Sequence, residues 1–568
     1  MTPGNMAWRS KAAAPFVLSL FSLAVFGTAA PPQASGYLFY GIGVSLLFCL
    51  SAAWGWKHSE IGRPFGGELS AKYAWVFVWA TAFLISATIF KLGMIQFGGF
   101  DHSALIDMGW RIHLGQKPFR DFPCTMPPLF YLGAGCAFDA FGSSWRSLVA
   151  LTSIFSFATF LWSYLLLDGI LEDRFGAWLF SLMIQACTTV VVSYWWYNPV
   201  TTVIAVLGFL SFWRLFGNPG DRWVRVSCIV SLALLSLAKP NIAGLLIVGM
   251  LAIGLFSRIR WVVIVIMAIS AAIALVTLAV ANIRPADLVI GYLGIADRGA
   301  TLRQLFQDIG PMEKALFSGV LAALLIPWII HSRRLFSEGN EQRHWLALLG
   351  LIAGLYGFIT NGEAKIVDVP LVFICSVLGL CIPLRKGNAQ LHIATVTDFR
   401  WKGYFSTLAC VLIGIACAQA VTRHRVELIG PGAFFEHRLS DRPPSPPFFK
   451  GLRTGNIFSG VCSEVDAVLS RFGRSSVYFG PRMQWAYAAF ELTPPLNQPS
   501  WWHPGVSFPK EMESSYIKAW ASRKFETVVL FKNDLTYMSP EFIEILSKNY
   551  TIDQSSPFLT VLHRIHRL

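Results

Sequence analysis

Long apolar stretches alternate with short polar connections from residue 12 to about residue 421. Most are close to the roughly 20 residues an α-helix needs to cross a bilayer. They predict spans over 12–30, 36–56, 73–96, 146–168, 175–193, 199–216, 224–239, 241–257, 261–283, 313–331, 345–360, 366–384 and 403–421. One further apolar segment, 127–142, is short and carries Pro127, Pro128 and Asp139. Past 421 the pattern changes: charged residues, prolines and turn formers return, and no further span is visible. There, Val477-Tyr478-Phe479 and Thr527 to Phe531 read as short buried strands. Residues 540–548 read as a helix capped by Ser539, and 558–562 as a closing strand. The expected fold class is an all-α polytopic membrane domain of about 13 helices, residues 1–421, followed by a small α/β domain, residues 422–568.

Composition supports the membrane assignment. Charged residues are 14% of the chain and hydrophobic ones 54%, against about a quarter charged in soluble domains. The mean hydropathy is +0.53. The net charge of +14 suits loop bias and attraction to anionic lipid. No basic stripe with interleaved aromatics occurs after 421, so a nucleic-acid partner is not expected. Of the ten cysteines, Cys49, Cys187, Cys228, Cys375, Cys381, Cys410 and Cys417 fall in spans, where cysteine behaves as a small apolar residue. Arg9 and Lys11 before an apolar stretch resemble a signal peptide, but Pro31-Pro32 would make a poor cleavage product, and an uncleaved first span is expected.

Loop charge fixes the expected orientation. With the N-terminus in the cytoplasm and 127–142 not spanning, the clusters Lys57/Arg63/Lys72, Arg174, Arg214/Arg222/Arg225, Arg258/Arg260, Arg333/Arg334/Arg343 and Arg385/Lys386/Arg400/Lys402 all fall inside. The connections 31–35 and 194–198 would lie outside, and they hold no Lys or Arg. If 127–142 spanned, every later loop would invert and the bias would vanish. The segment is therefore expected to lie along the outer membrane face, with residues after 421 also outside. Span centres carry almost no ionisable residue; Lys91, Lys239 and Asp368 fall near outer ends. Ion-coupled transporters usually place charge at mid-membrane, and no internal repeat is clear.

The first long outer loop carries an ordered set of motifs. It reads Asp101-His102 just after a span, then Asp107, Arg111 and His113, then Gly115-Gln-Lys-Pro-Phe-Arg-Asp121-Phe122, then Pro127-Pro128-Leu129, and Phe141-Gly142-Ser143 before the next span. In order and spacing this resembles the first extracytoplasmic loop of GT-C glycosyltransferases, which include protein O-mannosyltransferases, lipid A aminoarabinose transferases and lipopolysaccharide-core galacturonosyltransferases. The resemblance implies that Asp101 is the base taking the acceptor hydroxyl proton. It makes Asp121 a second acidic group that positions the acceptor or supports a metal. On residue chemistry alone, Asp101 would serve equally as the cap of a helix over 102–114, and Asp121 as a turn residue after Pro118. Two departures leave metal use open: Thr125-Met126 replaces the Glu-Lys that often precedes the paired prolines, and His102 replaces a second acid. His102 and His113, eleven residues apart on a helix, do not share a face cleanly.

Other outer-face candidates follow from the same topology. Lys239-Pro240-Asn241 interrupts an apolar run, and by resemblance Lys239 contacts the donor phosphate; simple snorkelling of the ammonium is the alternative. Tyr194-Trp195-Trp196-Tyr197 reads as an interfacial aromatic belt, with Asn198 beside it facing the sugar by resemblance. In the long loop 284–312, Arg298 or Arg303 suits a bidentate phosphate contact, and solvated surface charge accounts for them equally well. Glu363 and Lys365 border a later outer turn, with Asp368 just inside. His102, Asn198, Glu363 and Lys365 are thus expected to bind substrate. The expected function is inverting transfer of a sugar from a polyprenyl phosphate carrier to an extracytoplasmic lipopolysaccharide, glycan or protein, in a bacterial inner membrane. No cofactor is required by the residues, and a divalent metal is left open. The alternatives are a transporter or flippase of lipid-linked glycans and a non-catalytic envelope scaffold.

Overall fold

The computed structural model describes residues 68–95, 97, 100–124, 126–171, 173–295, 341–360, 365–381, 405–417, 420, 444–505, 507–532, 538–555 and 558–565. The expected spans 12–30, 36–56 and 313–331 lie outside the described residues, and so does the stretch 421–443 that holds the expected boundary between domains.

The first described helices are α1 (Glu68–Gly93), α2 (Phe100–His113), α3 (Pro128–Phe141), α4 (Trp145–Leu171) and α5 (Arg174–Gln185). A π-helical turn, Ala186–Val190, continues α5. Then come α6 (Tyr197–Gly217), α7 (Arg222–Leu237), α8 (Pro240–Leu255), α9 (Arg260–Val280), α10 (Pro285–Ile295) and α11 (Glu341–Thr360). A 3₁₀ turn, Lys365–Asp368, leads into α12 (Val369–Cys381), and α13 is Phe405–Cys417. Among the described helices, those spanning Trp75–Gly93, Trp145–Leu171, Tyr197–Gly217 and Arg260–Val280 are long and apolar enough to cross a membrane, and four shorter ones are also apolar.

Local sequence explains the helix boundaries. The Asp173 carboxylate accepts from Gly176 N and starts α5; the Asp221 carboxylate accepts from Trp223 N and starts α7. Pro128 and Pro240 occupy the first positions of α3 and α8, where the missing N–H costs nothing. Central α6 is buried almost throughout, whereas α9 turns Trp261, Val265, Ile269, Ile273 and Val276 outward. An apolar face on a peripheral helix suits lipid. Helices join through small hydroxyl residues: Ser86 and Ser153 each donate to the other's carbonyl, and Ser211 Oγ meets Ser227 Oγ at 2.6 Å. Such pairs let helices approach closely and satisfy polar groups within an apolar bundle.

The C-terminal portion holds α14 (Asn456–Phe472), β1 (Val477–Phe479), α15 (Trp485–Ala489), α16 (Glu513–Ser522), β2 (Thr527–Phe531), α17 (Pro540–Asn549), β3 (Tyr550–Ser555) and β4 (Leu559–Arg564). The sheet order is β1-β2-β4-β3, with β1 parallel to β2 and the other neighbours antiparallel. Ser539 caps α17 by accepting from Phe542 N. Alternation along each strand separates two cores. Tyr478, Val528, Leu530 and Leu562 face Trp502, Trp520 and Phe542, while Val477, Phe479, Val529, Leu559 and Val561 join the core that runs on into the helical bundle. Phe97, Phe449, Phe458 and Trp485 stitch the bundle to this portion, with ring centroids 4.6–5.5 Å apart.

Candidate functional site

The loop between α1 and α4 is a packed unit. α2 and α3 cross closely because glycines face the contact: a Cβ on Gly109 would meet Ala134 Cβ at 2.7 Å, and one on Gly135 would meet Ile112 Cγ2 at 2.5 Å. The 14 residues of α3 extend about 21 Å at 1.5 Å per residue, short of the ~30 Å hydrocarbon core. Helix α2 begins at Phe100, so Asp101 sits inside its first turn and not at the preceding cap position; its side chain lies outside the described atoms.

Next to Asp101, His102 is buried and surrounded by rings. It stacks on Phe97 at 5.3 Å and meets Tyr194 edge-on at 4.0 Å and Trp145 at 5.2 Å. The ring series continues through Tyr194–Trp196 (5.9 Å) and Trp196–Tyr197 (4.7 Å) to Tyr197, whose centroid is 5.6 Å from Lys239 Nζ. The start of α2 is thereby joined to the starts of α6 and α8. The interfacial belt expected at 194–197 is corrected here. Tyr194, Trp195 and Trp196 are all under 10% exposed, because they fill the space between the α1–α4 loop and the bundle. Trp195 packs on Phe130 of α3 and Phe155 of α4.

Lys239 is the N-cap residue of α8. Its Nζ donates to Asn198 Oδ1 at 3.1 Å, and its backbone N donates to Thr201 Oγ1 at 3.4 Å. One turn along α6, Thr202 Oγ1 donates to Asp368 Oδ1 at 3.3 Å, and Asp368 is only 3% exposed. Helices α6, α8 and α12 therefore begin at one end of the bundle. The positive ends of the helix dipoles collect there beside a lysine, an arrangement that favours an anion. Arg298, Arg303 and Glu363 lie outside the described residues, and Lys365 is described only through its backbone in the 3₁₀ turn.

Asp121 is engaged in its own turn. Its Oδ2 accepts from Lys117 N at 2.7 Å, its backbone N donates to Lys117 O at 2.8 Å, and Arg120 Nε is 3.8 Å from Oδ1. Phe119 adopts φ 62° within the same turn. Asp121 O accepts from Asn497 N at 2.6 Å. His113 pairs with Asp139 of α3 at the far end of α2 from His102. The two histidines do not converge, and among the described residues no group of three or more His, Cys, Asp or Glu is placed to hold a metal ion.

A second polar centre braces the loop. Arg111 Nε donates to Asp107 Oδ2 at 2.7 Å, one turn back on α2, with both side chains at most 1% exposed. Arg111 Nη1 donates to Gln116 Oε1 (3.1 Å) and Pro495 O (2.9 Å), and the guanidinium lies over Phe122. Gln116 Nε2 donates to Pro494 O, and Trp110 Nε1 to Leu492 O. The second Asp107 oxygen is buried and makes no hydrogen bond. Burial pushes the Asp107 carboxyl above the ordinary carboxylate range, and the charge and hydrogen bond of Arg111 oppose that shift. Asp107 and Arg111 at i,i+4 were visible in the sequence; their partners near 495 were not.

No protein-family model matches this sequence, and no curated protein does. The fold has solved counterparts. ArnT from Cupriavidus metallidurans bound to undecaprenyl phosphate superposes with a TM-score of 0.51 at 10% identity, covering 86% of this chain and 98% of ArnT. Apo ArnT gives 0.50 at 10% identity, covering 87% and 98%. The chain has the fold of ArnT. ArnT is a lipid A aminoarabinose transferase of the GT-C type, so the fold expected from the loop motifs is present. At 10% identity this is a likeness of fold.

Proposed function

We propose that this chain is an inverting glycosyltransferase that moves a sugar from a polyprenyl phosphate carrier to an acceptor outside the cytoplasm. The observation that carries the reading is Lys239, held by Asn198 at 3.1 Å where α6, α8 and α12 begin. A fixed cation among helix N-termini suits a phosphate monoester leaving group. The ArnT fold, which in one solved structure binds undecaprenyl phosphate, supports the same donor class here.

In this reading an acceptor hydroxyl attacks the anomeric carbon from the face opposite the phosphate. The new C–O bond forms as the anomeric C–O bond to phosphate breaks, and the configuration inverts. The hydroxyl proton passes to the Asp101 carboxylate, and polyprenyl phosphate leaves with the bonding pair. Lys239 neutralises the charge that grows on that phosphate, assisted by Arg298 and Arg303. Asn198 orients Lys239; Asp121, His102, Glu363 and Lys365 line or shape the substrate path. The ring series from His102 to Tyr197, which joins the start of α2 to Lys239, supports a base and a leaving-group site on the same face of the bundle. Loop charge favours a cytoplasmic N-terminus in a bacterial inner membrane, with α3 along the outer face and the portion after 421 outside. The acceptor is a lipopolysaccharide, another envelope glycan or a protein.

The test is transfer by the purified chain in liposomes, supplied with a panel of polyprenyl phosphate sugars and envelope acceptors. Sugar transfer that releases free polyprenyl phosphate is the expected result. If no donor were consumed while a lipid-linked glycan crossed the bilayer, the chain would be a flippase and the proposal wrong.

A further inference from the structure

Helices α1 and α4 run side by side and antiparallel. Trp79 packs on Phe157 (5.5 Å between centroids), Ser86 and Ser153 exchange hydrogen bonds, and the Arg146 guanidinium lies 5.5 Å over the Phe90 ring. Phe83, Ala87 and Lys91 form one row on α1, and Arg146, Ala150 and Ile154 one row on α4. Each row drifts about 40° per four-residue step, to the same side of the contact line because the helices are antiparallel. Phe83, Lys91, Arg146 and Ile154 are exposed, and the two alanines are half-buried. The rows therefore border a shallow apolar furrow with Lys91 and Arg146 at one end. The segment 447–453 borders that same end. Phe448 and Phe449 are buried, and Leu452 N donates to Phe449 O at 2.9 Å across a tight turn. Gly451 adopts φ 83° there, a conformation such a turn asks of its third residue, and Lys450 is left exposed at the tip. Arg453 N donates to Met94 O at 2.9 Å, and Trp145 Nε1 donates to Gly93 O at 2.9 Å. Lys91, Arg146, Lys450 and Arg453 are thus gathered around the end of α1. Among the described residues, no carboxylate forms an ion pair with any of the four.

We propose that this end of the bundle binds one anionic phospholipid of the phosphatidylglycerol kind, with its phosphate among the four cations and an acyl chain along the α1–α4 furrow. The inference stands apart from the transfer reading, since none of these residues belongs to the proposed donor site. Four like charges without a carboxylate repel one another, and an anionic headgroup relieves that repulsion. Arg146, laid flat on Phe90, presents a planar fork that matches phosphate oxygens. Charge selects the headgroup, and the furrow selects a lipid over a free anion. The bound lipid would bridge α1, α4 and the 450–453 turn, which are remote in sequence, and so stabilise the folded chain.

The full-length chain in neutral detergent would be titrated separately with phosphatidylglycerol, phosphatidylcholine and inorganic phosphate while its thermal midpoint is followed. A ligand that binds only the folded chain raises the midpoint as its concentration rises. The inference expects that rise with phosphatidylglycerol and not with the other two. Arg146→Gln and Lys450→Gln should each weaken the apparent affinity for phosphatidylglycerol about fivefold, and the double variant about 20-fold, the worth of one and two cations beside an anionic headgroup. Lys450→Arg should keep wild-type affinity, and Ala150→Phe, which fills the furrow, should weaken it. Lys450 stands on an exposed tip, so Lys450→Gln keeps the wild-type midpoint without lipid and gives a readout even if Arg146→Gln loosens the fold. No rise for wild type, or an equal rise with phosphatidylcholine, would overturn the inference. Wild-type affinity in Lys450→Gln and in the double variant would overturn it as well. An equal rise with inorganic phosphate would replace the lipid by a free anion. Sugar transfer is not measured, so none of these results bears on the transfer reading.

Discussion

Two polar centres lie in the region that the α1–α4 loop shares with its neighbours, and they are built in opposite ways. Around Arg111 the chain supplies the partners: Asp107 from the previous turn, Gln116 from the following turn, and the carbonyl of Pro495 from almost 400 residues away. Both charges are sealed from solvent. Around Lys239 the ammonium is only partly buried, it meets Asn198, and helix starts surround it. The first arrangement satisfies a cation internally and holds the segment 492–497 against α2 and its turn. The second keeps a cation at the kind of helix-start junction where an anion binds. Burial of charge alone does not distinguish scaffold from site.

The largest expected effect tests the first centre. Arg111→Met leaves Asp107 buried without its cation and should destabilise the fold by about 3–5 kcal/mol, read as a lowered thermal midpoint in detergent and faster proteolysis within 492–497. A midpoint equal to wild type would mean that the pair does not brace the loop. Next in size, Lys239→Met should lower transfer roughly 10²-fold, or about 2.7 kcal/mol of transition-state stabilisation, with the thermal midpoint almost unchanged. If Lys239→Met instead unfolded the chain while activity per folded molecule persisted, the two centres would have been assigned the wrong way round. The smallest effect is that of Trp110→Phe. It removes the indole hydrogen bond to Leu492 O and should cost about 1 kcal/mol of stability, with transfer kinetics per folded molecule retained.

The same contrast accounts for what could be read from the sequence. Apolar runs and prolines located the helices: 146–168 became Trp145–Leu171, and the short segment with Pro127-Pro128 became Pro128–Phe141. Ser539 and Pro540 marked α17 because capping is local chemistry. Lys239 before Pro240 was visible for the same reason. Tyr194 to Trp196 were misplaced because buried and interfacial aromatics have the same composition; only the packing of α3 and α4 around them decides. The Arg111–Pro495 and Thr202–Asp368 bonds were invisible, since each joins residues more than 150 positions apart. Asp121 remained ambiguous because its spacing suits a turn and a site alike, and its Oδ2 does serve the turn.

The central claim is that Asp101, in the first turn of α2, is the base for transfer of a lipid-linked sugar. The most direct measurement is single-turnover transfer by Asp101→Asn against wild type, on the donor that wild type uses. The account predicts a loss of about 10²–10⁴-fold in the chemical step, with undecaprenyl phosphate still bound through Lys239. Transfer by Asp101→Asn at the wild-type rate would contradict it.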